Sequence, residues 1–200
     1  MKKILMITLD ERPCNYDFPS MMPKADYEII KPPLNIMGDK KKAADTNAIA
    51  DFLIKNAKEA DFVVLSMDTL IYGGIVPSRL HCENEKTLFK RIDIIKQIKE
   101  INKRIKIFAF ELIMRCPWYS SSDEEPDYYE LWGREIHRLG RYNHLEKLNL
   151  LTAEDKADRA DILSRIDKTA LKNFTDRRRT NLQALMYTLN YVKSGVIRLV

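Results

Sequence analysis

The stretch Leu9-Asp10-Glu11-Arg12-Pro13-Cys14-Asn15 places two carboxylates, a guanidinium, a thiol and an amide within seven residues, directly after the apolar run Ile4 to Leu9. Carboxylates suit general acid–base work, and an arginine fork suits a carboxylate, a phosphate or a hydroxyl-rich ligand. Burying three charges costs desolvation, so they belong at an open end of the element that precedes them. The grouping recurs down the chain. Asp68 follows Phe62-Val63-Val64-Leu65, and Tyr72, Gly73, Gly74 and Arg79 come next. Arg115 follows the apolar stretch Ile105 to Ile113, which contains Glu111, and the loop beyond carries Trp118, Tyr119, Ser120 to Ser122, Asp123, Glu124 and Glu125. Gly73-Gly74 permits positive φ or close backbone approach to a ligand, but it lacks the spacing of a phosphate-binding loop.

These groups need elements to hold them. Apolar runs too short for helices predict strands at Lys3–Leu9, Tyr27–Ile30, Phe62–Leu65 and Ile105–Ile113, with a last β-type run at Val196–Val200. Pro13 ends the first strand and opens a turn-rich segment with Pro19 and Pro23. Lys40-Lys41-Lys42 reads most simply as a solvated face, with attraction of a phosphate as the alternative. Three-to-four spacing predicts a helix over Asp45–Lys58 and a single longer one over Glu85–Lys103. Ser122 or Asp123 is the expected cap of a helix running from Asp127 to about Leu148, with Glu124 and Glu125 favoured by its dipole. Thr152 caps the next helix, and a third runs from Asp176 to Lys193 before Gly195. Arg177-Arg178-Arg179 at that helix start would oppose the dipole and call for a counter-anion. Glu111 inside a strand needs a partner, and Arg115 is the nearest cation.

Alternating strands and helices indicate an α/β fold with a mostly parallel sheet, open and Rossmann-like or part of a barrel, and a helical C-terminal third. Residues 1–200 read as a single α/β domain, with 127–195 mainly helical. The last strand stops without polar residues after it, so the chain is expected to be the N-terminal portion of a larger unit.

Composition narrows the function. Of 200 residues, 34 are Lys or Arg and 29 are Asp or Glu; residues 1–129 balance at 20 and 20, so the excess lies in 130–200, with 14 against 9. That bias admits an anionic partner, but no nucleic-acid motif accompanies it. Cys14, Cys82 and Cys116 are odd in number and far apart, which argues against a disulfide framework or zinc and fits a reduced, cytoplasmic setting. No stretch approaches the length of a membrane span, and Asp10 ends the first apolar run too early for a signal core. His137 and His144 lie seven apart, on one helical face, and read as ordinary surface or satisfied histidines rather than ligands.

Four ordered blocks resemble one family. Leu9 to Asn15 with Phe18-Pro19 is similar to its N-terminal signature. Asp68-Thr69-Leu70, Tyr72-Gly73-Gly74 and Ser78-Arg79 resemble its second block. Arg115, Ser120 to Ser122, Glu124 to Tyr129 and Gly133 resemble its third, and Arg178-Arg179 with Asn181 its fourth. The family is a large bacterial domain-of-unknown-function family, numbered 4127. The resemblance covers essentially the whole chain and implies a protein more than twice as long. It brings little chemistry, and it adds Arg178, Arg179 and Asn181 to the candidate binding residues.

The expected function is an enzyme, hydrolase-like and of glycosidase type, on a small polar substrate such as a sugar. Asp10, Asp68, Glu124 and Glu125 are its candidate catalytic carboxylates. Glu11, Arg12, Asn15, Tyr72, Gly73, Gly74, Arg79 and Arg115 are its candidate substrate-binding residues. Mg²⁺ between Asp10 and Asp68 is a metal-assisted variant; otherwise no cofactor or metal is expected. An aspartate-nucleophile phosphatase would need an acid where Arg12 stands. A nucleophilic Cys14 has no histidine near it in sequence, so a structural thiol is the better reading. The alternative to an enzyme is a non-catalytic binding protein for a sugar or anionic metabolite. Neither reading involves a membrane or nucleic acid.

Overall fold

Strands β1 (Lys2–Ile7), β2 (Tyr27–Ile30), β3 (Phe62–Ser66), β4 (Lys106–Phe110) and β5 (Ile197–Leu199) pair side by side in the order β2-β1-β3-β4-β5. Every pairing is parallel. The computed structural model describes residues 1–22 and 26–199, and in it the sheet is open, with β2 and β5 at its edges. Pro23 of the turn-rich segment and Val200 of the last apolar run lie outside the described residues. Successive strands step outward from β1 in both directions, so the chain reverses its winding between β1 and β3. In open parallel sheets that reversal leaves a crevice at the carboxyl ends of the strands, where ligands bind.

The helices are α1 (Pro13–Tyr16), α2 (Phe18–Met21), α3 (Thr46–Ala57), α4 (Met67–Tyr72), α5 (Glu85–Ile92), α6 (Ile94–Ile101), α7 (Tyr129–Lys147), α8 (Ala153–Arg165) and α9 (Lys168–Lys193). The chain divides into two compact units: Met1–Ile113 with Thr180–Val200, and Met114–Arg179. The first carries the sheet. Its core joins Leu5, Ile7, Val63, Leu65 and Ile107 of the strands to Ile49, Leu53, Leu88 and Ile95 of the helices. No residue of β3 is exposed, as expected of a strand covered on both faces. The second unit is helical and has its own core, around Tyr129, Ile136, Leu139, Ile162 and Phe174. Each fully buried aliphatic side chain contributes on the order of 2 kcal/mol.

Several elements differ from the sequence reading, each for a local reason. β1 ends at Ile7, so Pro13 does not end the strand; it opens the one-turn helix α1 at a position where its missing N–H costs nothing. The residues after Leu65 form the helix α4, capped by the Ser66 hydroxyl on the Thr69 N–H at 3.2 Å. All six α4 residues are buried, so no polar face marks them as helical. Glu85–Lys103 is two helices broken at Asp93, whose carboxylate accepts from the Tyr187 hydroxyl at 2.9 Å and the Tyr191 hydroxyl at 2.6 Å. Ser122 and Asp123 do not cap α7, which starts at Tyr129 without a side-chain cap; Ser122 instead donates its N–H to Glu130 at 2.9 Å. Glu124 and Glu125 therefore precede the helix rather than sit in its first turn. α9 begins at Lys168, eight residues before the expected start, with the Asp167 carboxylate accepting the Thr169 N–H at 2.7 Å. Arg177 to Arg179 thus lie inside a helix, and the dipole argument for a counter-anion there does not apply.

The expected caps elsewhere are present. Thr152 and Asp155 form a reciprocal capping box on α8. Gly195, at φ 73°, closes α9 with bonds from its N–H to the Val192 carbonyl and from the Val196 N–H to the Tyr191 carbonyl. Among the described residues no helix is long and apolar enough to cross a membrane.

Candidate active site

β1 delivers Asp10 three residues beyond its end, and Asp10 is nearly buried. The segment then folds back on it. Arg12 donates from Nε at 2.8 Å and from Nη2 at 2.5 Å to Oδ2, and its backbone N–H reaches Oδ1 at 3.1 Å. Asn15 donates Nδ2–H to Oδ1 at 2.7 Å. The first turn of α1 is what carries Asn15 round to this position. Both carboxylate oxygens are held, and the negative charge is matched by a fork of donors two residues away. Glu11 points elsewhere and accepts the Lys40 N–H at 2.8 Å, where Lys40 adopts φ 49°. Thr69 of α4 ties the two strand exits together, its hydroxyl facing the Thr8 carbonyl at 2.7 Å and the Leu9 carbonyl at 2.8 Å.

β3 delivers Asp68, in the first turn of α4 and 1% exposed. Its Oδ2 accepts the Leu112 N–H at 3.0 Å, a bond that links the exits of β3 and β4. Burial pushes its pKa up to about 6, partly offset by that N–H and by the charge of Arg79, itself buried. β4 delivers Glu111, the first residue past the strand. Burial pushes Glu111 up to about 7; the polar hydroxyl of Thr188 on α9, which donates to the Ala184 carbonyl at 3.1 Å, opposes the shift and the charge of Asp68 adds to it. Tyr72, at the end of α4, is raised above the ordinary tyrosine range by burial and by the charges of Glu111 and Asp68. The Tyr72 hydroxyl and Glu111 Oε2 are both buried and have no hydrogen-bond partner among the described residues. Gly73 closes α4 at φ 86°, and a Cβ there would lie 2.7 Å from the Ala44 nitrogen. Gly74, at φ 135°, follows it and accepts the Ser78 N–H at 3.1 Å.

The Tyr72 ring also packs against His81, tilted by 31° with centroids 4.7 Å apart. His81 Nδ1 accepts the Glu83 N–H at 3.2 Å, so in the neutral ring the proton sits on Nε2, 2.6 Å from Asn181 Oδ1. Asn181 in turn donates to the Ser78 carbonyl at 2.8 Å. A groove of about 440 Å³ opens beside this pair, lined by Lys41, Tyr72, His81, Cys82, Glu83 and Arg91 among others.

Glu124, Glu125 and Arg115 belong to the second unit. Arg115 donates to the buried Glu125 at 2.8 Å, to the Tyr119 hydroxyl at 2.6 Å and to Glu124 at 3.4 Å. Arg115 is therefore not the partner of Glu111. Gly133 lets α7 press against this loop: a Cβ there would lie 2.4 Å from the Tyr119 carbonyl oxygen.

The model of one family, described as a protein of unknown function (DUF4127), matches residues 4–200. The chain belongs to the DUF4127 family. A search of curated proteins and a search of solved structures each give no match.

Within this DUF4127 chain the four sequence blocks do distinct jobs. The first closes a ring around Asp10. The second is α4 with its buried Asp68 and Tyr72 and the loop to Arg79. The third is the Arg115–Glu125 knot with the contact at Gly133, and of the fourth Asn181 holds His81. Arg178 and Arg179 are exposed on α9, and Arg179 pairs with Asp176 at 2.9 Å. Among the described residues no group of three His, Cys, Asp or Glu side chains is arranged to hold a metal. At Asp10, one of the two carboxylates a Mg²⁺ ion would need, the Arg12 guanidinium already supplies the countercharge. Cys14 is exposed, as is Cys82, and all three cysteines are free thiols.

Glu111, Thr188 and His81 were not singled out for the site from the sequence. Glu111 carried a signal, since an acid in the apolar run Ile105 to Ile113 demands a reason; the strand in fact ends at Phe110, just before it. Thr188 and His81 carried none, because their roles depend on α9 returning to the sheet.

Proposed function

We propose that this chain carries a hydrolase-type acid–base centre at the carboxyl ends of β3 and β4, acting on a small polar substrate such as a sugar. The observation that supports it is the Asp68–Glu111 pair. Two carboxyls leave neighbouring strands, with pKa values pushed up to about 6 and about 7. Near neutral pH one is charged while the other keeps its proton, which is the division that general acid–base chemistry requires. Glu111, the higher of the two, is the acid; Asp68 is the base or nucleophile. Arg79 limits the rise of Asp68 and so keeps it ionised. Tyr72 brings a hydroxyl close enough to feel the charges of the same carboxyls. Asp10 in this reading is a positioning residue: with Arg12 and Asn15 it fixes the β1 exit beside β3.

The test is turnover of a panel of aryl glycosides by the wild type, Asp68→Asn and Glu111→Gln. Loss of about a hundredfold or more in both variants, with the fold intact, is expected if the pair supplies acid–base chemistry. Full turnover in either variant would overturn the assignment.

The Leu112 N–H bond to Asp68 favours a second reading, in which the carboxyls are fixed acceptors in a non-catalytic binder of a sugar or anionic metabolite. A ligand that raises thermal stability without being turned over, in wild type and Glu111→Gln alike, would select it.

A further inference from the structure

We propose that the groove between α7 and the first part of α9, wholly within the second unit, binds a small organic anion with an aromatic or aliphatic body. Its volume, about 400 Å³, is in the range of small-molecule pockets. The floor is apolar: Ile136, Leu139 and Phe174 are buried there beside Leu171. The rim carries Arg141, Lys147 and Arg178 with His137 and His144, and among the described residues no Asp or Glu lines the groove. Two faces make this arrangement. Residues 136, 140, 144 and 147 fall on one side of α7, and residues 171, 174, 175 and 178 on one side of α9.

The cations are only partly answered by the protein. Arg141 reaches Asp155 at 3.4 Å, outside the groove. Lys147 and Arg178 have no side-chain hydrogen bond or ion pair among the described residues. Arg178's charge nevertheless reaches the Cys116 thiol across the groove, where it opposes the rise that burial imposes. His137 is held in place by its Nδ1, which donates to the Cys116 carbonyl at 2.9 Å. Gly140 leaves part of the α7 wall without a side chain; a Cβ there would meet only Cys116 Sγ, at 3.8 Å. An apolar floor under cations without local acids selects an amphipathic anion over a sugar or a cation.

The test is calorimetric titration of the full chain with 2-naphthoate, and with 2-naphthalenemethanol as its neutral counterpart. The carboxylate is expected to bind at least about tenfold more tightly than the alcohol, and Arg178→Ala to remove about that factor, the scale of one charge-assisted hydrogen bond. Gly140→Leu fills the groove with little strain and is expected to abolish binding while leaving thermal stability unchanged or higher. No binding of 2-naphthoate, equal binding of the alcohol, or binding that survives Gly140→Leu would each overturn the proposal.

Discussion

Asp68 and Glu111 leave adjacent parallel strands, where burial raises the pKa of Glu111 and the charge of Asp68 adds to the rise. The backbone register brings the two strand exits side by side. β3 and β4 are in register from Phe62 with Lys106 to Ser66 with Phe110, so the residues just past each strand emerge together. The Leu112 N–H then fastens the β4 exit to the Asp68 carboxylate.

The pair makes stability depend on pH in a defined direction. Both carboxyls have folded pKa values above their ordinary ones, so the folded state holds protons that the unfolded state has lost. Their contribution is full below pH 4 and disappears as pH rises through about 6 and about 7. Each shift corresponds to about 3 kcal/mol. Glu111→Gln is therefore expected to change stability little at pH 4 and to stabilise the protein at pH 8, by up to that amount. Urea unfolding at the two pH values checks this.

Arg12 is the main countercharge seen on Asp10. Arg12→Ala leaves a nearly buried carboxylate to Asn15 and one backbone N–H, and is expected to cost about 1–3 kcal/mol. Arg12→Lys restores the charge but not the fork and should recover only part of it. Equilibrium unfolding of the three proteins gives the order.

Two glycines of α7 make opposite expectations. Gly133→Ala places a methyl 2.4 Å from the Tyr119 carbonyl oxygen and 2.7 Å from the Tyr129 ring, and should cost about 2 kcal/mol or more. Gly140→Ala meets nothing closer than 3.8 Å and should gain about 0.5–1 kcal/mol from helix propensity. Thermal melting of both variants checks the pair.

Arg115 holds the fully buried Glu125 in the second unit. Arg115→Ala is expected to destabilise that unit by about 3 kcal/mol, since it removes a partner from a buried charge. Hydrogen exchange should show the loss across α7 before it reaches the sheet.

What the sequence revealed follows the range of the interactions. β2 lies at Tyr27–Ile30 as read, and the β3 core, the Thr152 box and the Gly195 cap are all set by neighbours within a few residues. The break at Asp93 was hidden, because the two tyrosine hydroxyls it accepts lie 94 and 98 residues on. α4 was hidden for the opposite reason: burial on every side erases the period that marks a helix. Asp10 and Asp68 were legible as acids at strand exits. That Asp10 is closed by Arg12 and Asn15, while Asp68 takes the Leu112 N–H and its charge reaches Glu111, depends on side-chain geometry that spacing does not carry.

The most direct measurement is a carbon-13 NMR titration of the Asp68 and Glu111 carboxyls, assigned with Asp68→Asn and Glu111→Gln. Two coupled transitions near pH 6 and pH 7 are expected, with the Glu111 transition falling when Asp68 is made neutral. Both carboxyls titrating near pH 4, each indifferent to loss of the other, would contradict an acid–base pair at this edge of the sheet.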